Sequence, residues 1–182
     1  MQTGPDIKIT LPQSRVFEDL APRLVDLDND QSPEIITVET DLSLGARLAI
    51  YDETGLVAAT PFIGRTNRWL APVGAADLDG DGAIEIAYID RPHLAKTLRI
   101  WRFQDNELTF VQDVFDLTNH KIGWDTILGG LRTCSPNSPD LILADATWKN
   151  AMRISYSGKQ FTKEKIAPLN RDRDLSKYLN CP

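Results

Sequence analysis

Short apolar runs, separated by turn-forming and acidic residues, make up most of this chain. In the first third they predict strands at residues 23–25, 35–39, 47–52 and 57–62. The run at 35–39 lacks strict alternation, which is typical of a strand that is covered on both faces. Helical periodicity is confined to residues 172–178. The pattern therefore predicts an all-β domain with a short C-terminal tail.

The four-strand pattern recurs about every fifty residues, which predicts stacked structural units. Leu-Ala-Pro occurs at 20–22 and again at 70–72, and the run at 139–144 matches the run at 33–38. We expect a single domain, 1–182, with these divisions: repeat 1 at about 15–64, repeat 2 at about 65–117, repeat 3 at about 118–168, and a tail at 169–182.

Two details concern the strands of these units. The strand at 48–51 is aligned with 100–103 as its equivalent in the second unit. A further strand predicted at 6–11 belongs to none of the three units. It is expected to end a unit whose beginning is absent, to close onto the third unit, or to pair with another molecule.

Two acidic nonapeptides, which start 51 residues apart, are the strongest chemical signal. Carboxylates occupy positions 1, 3, 5 and 9, and a main-chain carbonyl is available at position 7: Asp26, Asp28, Asp30, Ser32 and Glu34 in the first loop, and Asp77, Asp79, Asp81, Ala83 and Glu85 in the second. Carboxylates crowded in this way repel one another unless a hard cation with many oxygen ligands lies between them. The spacing therefore predicts calcium; the alternative is a polar turn that needs no ion.

The two loops are not equivalent. Gln31 stands in the first loop where the second has Gly82, and a sharp turn at that position favours glycine. We therefore expect weaker metal binding in the first loop. The corresponding region of the third unit, 132–138, has no carboxylate and is expected to bind no calcium. Pro33 and the β-branched run after it disfavour the helix that would follow an EF-hand loop.

These loops, each followed by an apolar strand, resemble the FG-GAP or VCBS repeats of integrin-alpha-type β-propellers. The resemblance covers about 140 of the 182 residues. It implies four-stranded blades, up to two bound calcium ions held by the carboxylates at positions 1, 3, 5 and 9 of each loop, and a non-enzymatic module for binding proteins or ligands. Closed propellers have about 4 to 8 blades. Three units therefore predict an incomplete or open array, whose exposed blade faces would promote oligomerisation.

Composition narrows the possible roles. The hydrophobic fraction of 42% suffices for one globular core, and the formal charge of −6 disfavours nucleic-acid binding. No apolar run is long enough for a membrane helix, and residues 1–5 do not resemble a secretory signal. The protein is expected to be cytoplasmic or, with its signal removed, periplasmic or extracellular; calcium loops favour export. Cys134 and Cys181 form one disulfide or remain two thiols.

A polar set at the rim of the units is the candidate ligand site. Acids five residues after loop position 9 are followed by arginines across a hairpin: Glu39 with Arg47, Asp90 with Arg99, and Asp145 with Arg153. These are either cross-strand ion pairs or part of a polar ring. A small polar or anionic ligand is expected to contact the following residues: Asn67, Arg68, Asp90, Arg91, His93, Asn119 and His120. The alternative is that they are ordinary turn residues.

No catalytic motif is recognisable, so a non-enzymatic role is favoured. Two histidines without a third nitrogen or sulfur ligand disfavour zinc. The clustered carboxylates are explained by calcium and do not indicate a glycosidase. The alternatives that remain are part of a secreted hydrolase or lyase with a site at the polar rim, and a structural subunit of a larger assembly.

Overall fold

The computed structural model describes residues 7–134 and 139–181, and in these residues the fold is all-β. The strands are β1 Arg15–Phe17, β2 Arg23–Val25, β3 Glu34–Asp41, β4 Gly45–Asp52, β5 Gly55–Ala59, β6 Leu70–Ala76, β7 Ile84–Asp90, β8 Thr97–Gln104, β9 Glu107–Phe115, β10 Leu117–Thr118, β11 Gly130–Arg132, β12 Asp140–Asp145, β13 Asn150–Tyr156 and β14 Phe161–Pro168. A 3-10 helix, Asp172–Leu179, follows the last strand.

These strands form three antiparallel sheets, each built from strands that are consecutive in the chain. The first sheet contains β1 to β5, the second β6 to β9, and the third β10 to β14. In the second sheet, β6 pairs along the length of β7. In the first sheet two short strands take the place of one long strand: β1 pairs with the end of β3, and β2 pairs with its beginning. In the third sheet β10 and β11 likewise pair with the two ends of β12.

The hydrophobic core lies between successive sheets. The core between the first and second sheets includes Ile36, Leu48 and Ile86, and the core between the second and third includes Ile89 and Leu141. Because side chains alternate along a strand, β7 sends Ile86 to one core and Ile89 to the other. The middle sheet is therefore covered on both faces, as the apolar second strands predict.

The outer face of the third sheet is covered by the C-terminal tail. Ile142 and Ala151 of this sheet pack against Leu175 of the 3-10 helix. Cys134 and Cys181 form a disulfide that joins the tail to the segment before β12. Helix in the tail is confirmed, although the turn is of the tighter 3-10 kind.

Two strand predictions are wrong in part. Residues 7–11 form no strand, and Asp6 lies outside the described residues. Instead, Ile7 and Ile9 line a cavity at the outer face of the first sheet. Strand β5 ends at Ala59 and does not reach residue 62.

Among the described residues, no helix has the length and apolarity needed to cross a bilayer.

Candidate metal centre

The two acidic loops have the same backbone arrangement. In the first, the Asp26 carboxylate accepts a hydrogen bond from the N–H of Gln31 at 3.0 Å. In the second, the Asp77 carboxylate accepts one from Gly82, also at 3.0 Å. The side chain at position 1 therefore closes both loops by binding the backbone at position 6.

Position 6 has positive φ in both loops, as the sequence indicates. Gly82 has φ of 92° and Gln31 has φ of 73°. A residue with a Cβ atom in this region costs about 1–2 kcal/mol. The first loop adopts the same turn as the second despite this cost.

A buried glutamate anchors each loop at position 9. The carboxylate of Glu34 accepts the N–H of Leu27 at 2.7 Å, and that of Glu85 accepts the N–H of Leu78 at 2.9 Å. Glu34 is 6% exposed and Glu85 is fully buried. The leucines point into the inter-sheet core, so each glutamate connects the acidic loop to the packed part of its sheet.

The loops gather carboxylate oxygens in the way a hard cation requires. In each loop, one oxygen from each of three side chains lies within 4.8 Å of the others: Asp26, Asp28 and Glu34, and Asp77, Asp79 and Glu85. The carboxylates at position 5, Asp30 and Asp81, lie outside these groups of three and accept the N–H of the residue at position 7, from Ser32 at 2.7 Å and Ala83 at 2.9 Å. Their role as metal ligands stays a prediction. All-oxygen donors at this spacing fit calcium. The use of the position 7 carbonyls as ligands stays a prediction.

Burial and like charge act together on the first loop. Burial raises the pKa of Glu34, and the nearby charges of Asp28 and Asp30 raise it further. Within residues 7–134 and 139–181, no basic side chain forms an ion pair with the carboxylates of this loop. The described residues thus supply no basic side chain that would offset the repulsion in the first loop.

The second loop contains a cation of its own, which sequence reasoning missed. The Arg102 guanidinium donates to Glu85 at 2.8 Å and pairs with Asp81 at 2.9 Å. It also contacts Asp79 closely. Burial raises the pKa of Glu85, and the hydrogen bond from Arg102 opposes that rise.

The register of the hairpins explains the difference between the loops. In the second sheet, Arg102 lies directly opposite Glu85. In the first sheet, Tyr51 lies opposite Ile35, which places Asp52 opposite Glu34. The alignment of 48–51 with 100–103 is therefore wrong by two residues. The true equivalent is 98–101, since Leu-x-Ile-aromatic occurs at both places, and this signal would have revealed the arginine.

In the third unit, an arginine again pairs with the acid at position 9. Arg132 pairs with Asp140 at 2.7 Å, and their side chains are 12% and 13% exposed. Residues 135–138, part of the region expected to bind no calcium, lie outside the described residues. The acid at position 9 thus has an internal arginine partner in the second and third units.

The comparison with known families agrees with this geometry. The family model of the FG-GAP-like repeat matches residues 26–88. Residues 26–88 are therefore similar to an FG-GAP-like repeat. The match begins at the first aspartate of the first loop and includes the whole second loop, so it covers both acidic sites. No curated protein matches the chain.

Two of the three acid and arginine pairs predicted in these units form in the structure. Glu39 lies opposite Arg47 and is paired with it at 2.8 Å. Asp90 is 3.4 Å from Arg99, a diagonal neighbour. The pairing predicted for Arg153 is wrong, because Arg153 lies opposite Ile142 and binds Glu164.

The structure divides the rim residues of the candidate ligand site among separate places. His93 and His120 meet, with ring nitrogens 3.3 Å apart, and the other nitrogen of His120 lies 3.1 Å from the Trp124 carbonyl. Asp90 and Arg91 form an ion pair that lines a different cavity of about 280 Å³.

The other three rim residues do not join either group. Asn119 is buried, and its amide donates to the carbonyl of Ala71 at 3.3 Å. Asn67 is exposed, and its carbonyl accepts a hydrogen bond from Arg68. The seven residues therefore do not form one site, and a ligand role stays a prediction for each smaller group.

Proposed function

We propose that this chain is a calcium-stabilised, non-enzymatic module of the β-propeller type from an exported protein, and that it binds a protein or a small polar ligand. The single observation that carries the proposal is the compact carboxylate group of Asp26, Asp28 and Glu34. One oxygen of each side chain lies within 4.8 Å of the others, and none of the three pairs with a basic side chain among the described residues. Calcium at this position would neutralise the loop and fix the turn between β2 and β3.

Export is supported by two features. Disulfides persist in oxidising compartments, and the Cys134–Cys181 bridge fits such a location. Weak calcium loops also function best where calcium is plentiful. A periplasmic or extracellular site satisfies both conditions.

An open array of three units, each containing one sheet, is the architecture that we propose. The outer face of the third sheet is covered by the tail, whereas apolar side chains stay exposed on the outer face of the first sheet: Phe17 at 45% and Leu24 at 66%. A ring closed by further blades would cover this face. In the open array it is the surface available to a protein partner or a second copy.

Calcium dependence of stability tests the proposal. Thermal unfolding is measured in 1 mM EGTA and in millimolar CaCl₂, with MgCl₂ as the ionic control. A ligand at one hundred times its Kd stabilises by about 2.7 kcal/mol, which for a chain of this size corresponds to a rise in Tm of about 5–11 °C. Asp28→Ala is expected to remove most of that rise.

The matched control is Glu164→Gln. Glu164 is an exposed acid on β14 of the third sheet and lies outside both nonapeptides. This variant should keep the full response to calcium. If wild-type Tm is the same in EGTA and CaCl₂, the calcium proposal is wrong.

A further inference from the structure

Arg102 enters the second acidic loop from outside it. The residue belongs to β8, whereas the loop lies between β6 and β7. The hairpin register places it directly across from Glu85, so its position is set by the pairing of two long strands. The contact is therefore part of the sheet and not an accident of a loose side chain.

The guanidinium binds two of the carboxylates that calcium would use. Asp79 and Glu85 are two of the three members of the compact group in this loop, and both contact Arg102. The planar guanidinium presents several N–H donors in a fixed fork, which suits simultaneous contact with several carboxylates. A calcium ion can bind all of its ligands only after the guanidinium has moved away.

The first loop offers a natural comparison because its backbone is the same. The strand residue at the corresponding place is Asp52, which carries the opposite charge to Arg102. Its carboxylate accepts hydrogen bonds from Thr54 and Gly55 in the β4–β5 turn. The first loop thus has an acid where the second has its cation.

The turn at Gln31 does not make the first loop the weaker calcium site. The positive φ of Gln31 is already present in the folded chain, so its conformational cost falls on folding and not on binding of the metal. The third unit adds support, because Arg132 pairs there with Asp140, the acid at position 9. An internal arginine is thus used twice in one chain to neutralise the same position.

We propose that Arg102 is the resident cation of the second loop, so that this loop folds without calcium and binds it more weakly than the first loop does. This order is opposite to the one that Gln31 and Gly82 predict from the sequence. The inference rests on the proposed function for the calcium affinity of the first loop. Its claim about Arg102 as an internal counter-charge is independent of it.

The size of the effect follows from competition. If the guanidinium is out of the loop in about one molecule in ten, the apparent affinity for calcium falls about tenfold. Replacing the arginine should therefore raise the apparent calcium affinity of the second loop about tenfold. It should also destabilise the calcium-free protein, because three carboxylates lose their partner.

The experiment combines single-loop variants with variants of the arginine. Calcium binding is measured by isothermal titration calorimetry, and Tm is measured in EGTA and in CaCl₂. Asp28→Ala leaves the second loop to report alone, and Asp79→Ala leaves the first. Arg102→Met removes the charge, and it is combined with Asp28→Ala so that the second loop is observed without its resident cation.

Arg99→Met is the matched control. Arg99 lies on the same strand and is paired with Asp90 and Asp113, away from both acidic loops. Arg102→Lys is the second variant, used if Arg102→Met does not fold. A lysine keeps one positive charge but cannot reach three carboxylates with a planar fork.

The expected results are specific. The site left in Asp28→Ala should bind calcium at least about tenfold more weakly than the site left in Asp79→Ala. Adding Arg102→Met, or Arg102→Lys, should tighten the second site, and Arg102→Met should lower Tm in EGTA more than in CaCl₂. Arg99→Met should leave both calcium affinities unchanged.

The inference and the proposed function fail in different ways. Equal affinities of the two single-loop variants, with no tightening when Arg102 is replaced, would overturn the inference and leave calcium binding intact. If wild type binds no calcium but the Arg102 variants acquire a site, the inference holds and the proposed function fails. If none of the proteins binds calcium and replacing Arg102 does not lower Tm, both are wrong.

Discussion

Glu39 provides the sharpest test of how polar groups are accommodated in this array. Its carboxylate is fully buried in the first sheet. It pairs with Arg15 at 3.0 Å and Arg47 at 2.8 Å, and it accepts the hydroxyl of Tyr51 at 3.0 Å. Glu39→Gln removes the charge and preserves the shape of the side chain.

The loss of stability expected for Glu39→Gln depends on how deeply its arginine partners are buried. Removing one partner of a buried ion pair destabilises by about 3–5 kcal/mol. The side chains of Arg15 and Arg47 are 29% and 13% exposed, so water can partly solvate both once the carboxylate is gone. We therefore take the lower limit, about 3 kcal/mol, which corresponds to a fall in Tm of about 6–12 °C.

A second readout reports on the carboxylate itself. Burial raises the pKa of Tyr51 to about 12, and the charge and hydrogen bond of Glu39 contribute to the rise. Glu39→Gln removes the charge and leaves an amide oxygen that can still accept the Tyr51 hydroxyl, so the pKa of Tyr51 should fall toward 10 without reaching it. Alkaline titration followed by tyrosinate absorbance measures this pKa, and Tyr51→Phe identifies the signal.

The raised pKa of Tyr51 determines how stability changes with pH. The folded state retains the Tyr51 proton longer than the unfolded state, so this contribution is full below pH 10 and is lost as the pH rises through about 12. Glu39→Gln should lose less stability across that interval than wild type does.

Glu164→Gln is the control for Glu39→Gln. Glu164 is paired with Arg153 at 2.8 Å, but the two side chains are 63% and 39% exposed. Such surface pairs are worth about 0–1 kcal/mol. If Glu39→Gln unfolds no more easily than Glu164→Gln, the reasoning from burial is refuted. If the pKa of Tyr51 stays at about 12, the charge of Glu39 does not contribute to it.

Two further predictions concern the tail and the histidine pair. Replacing both Cys134 and Cys181 by serine opens a link between residues 47 apart and should lower the free energy of unfolding by up to about 4 kcal/mol, as measured by urea denaturation with reduced wild type as the comparison. Burial, His120 and Lys96 lower the pKa of His93, so the stability it contributes is full above pH 6.5 and is lost as the pH falls below that value. Tm in EGTA should therefore drop between pH 7 and 5 in wild type and drop less in His93→Gln; equal slopes would contradict this.

Much of the fold was predictable because apolar patterning dictates it. Strands β2, β3 and β4 were expected within a few residues, since each combines a buried apolar run with a flanking turn signal. The acidic loops were equally visible, because the fixed spacing of carboxylates is a local property of the sequence. The all-β class therefore required no knowledge of tertiary contacts.

The missed features depend on register, which local patterns do not determine. Whether Arg102 meets Glu85 is decided by which residues of β7 and β8 face each other, and a shift of one residue would send the guanidinium to the other face of the sheet. The pairing predicted for Arg153 failed for the same reason. The residues at 7–11 show a further limit, because period-two alternation also suits an extended segment lying on a sheet without pairing.

Calcium dependence should be graded along the array. The acid at position 9 has no internal basic partner among the described residues in the first unit, whereas Arg102 and Arg132 serve the second and third. The first unit is also the one whose outer face keeps exposed apolar side chains such as Phe17, while the tail covers the third. Removing calcium is therefore expected to loosen the first sheet before the others. The metal would then act on the end of the array that has the most surface available for a partner.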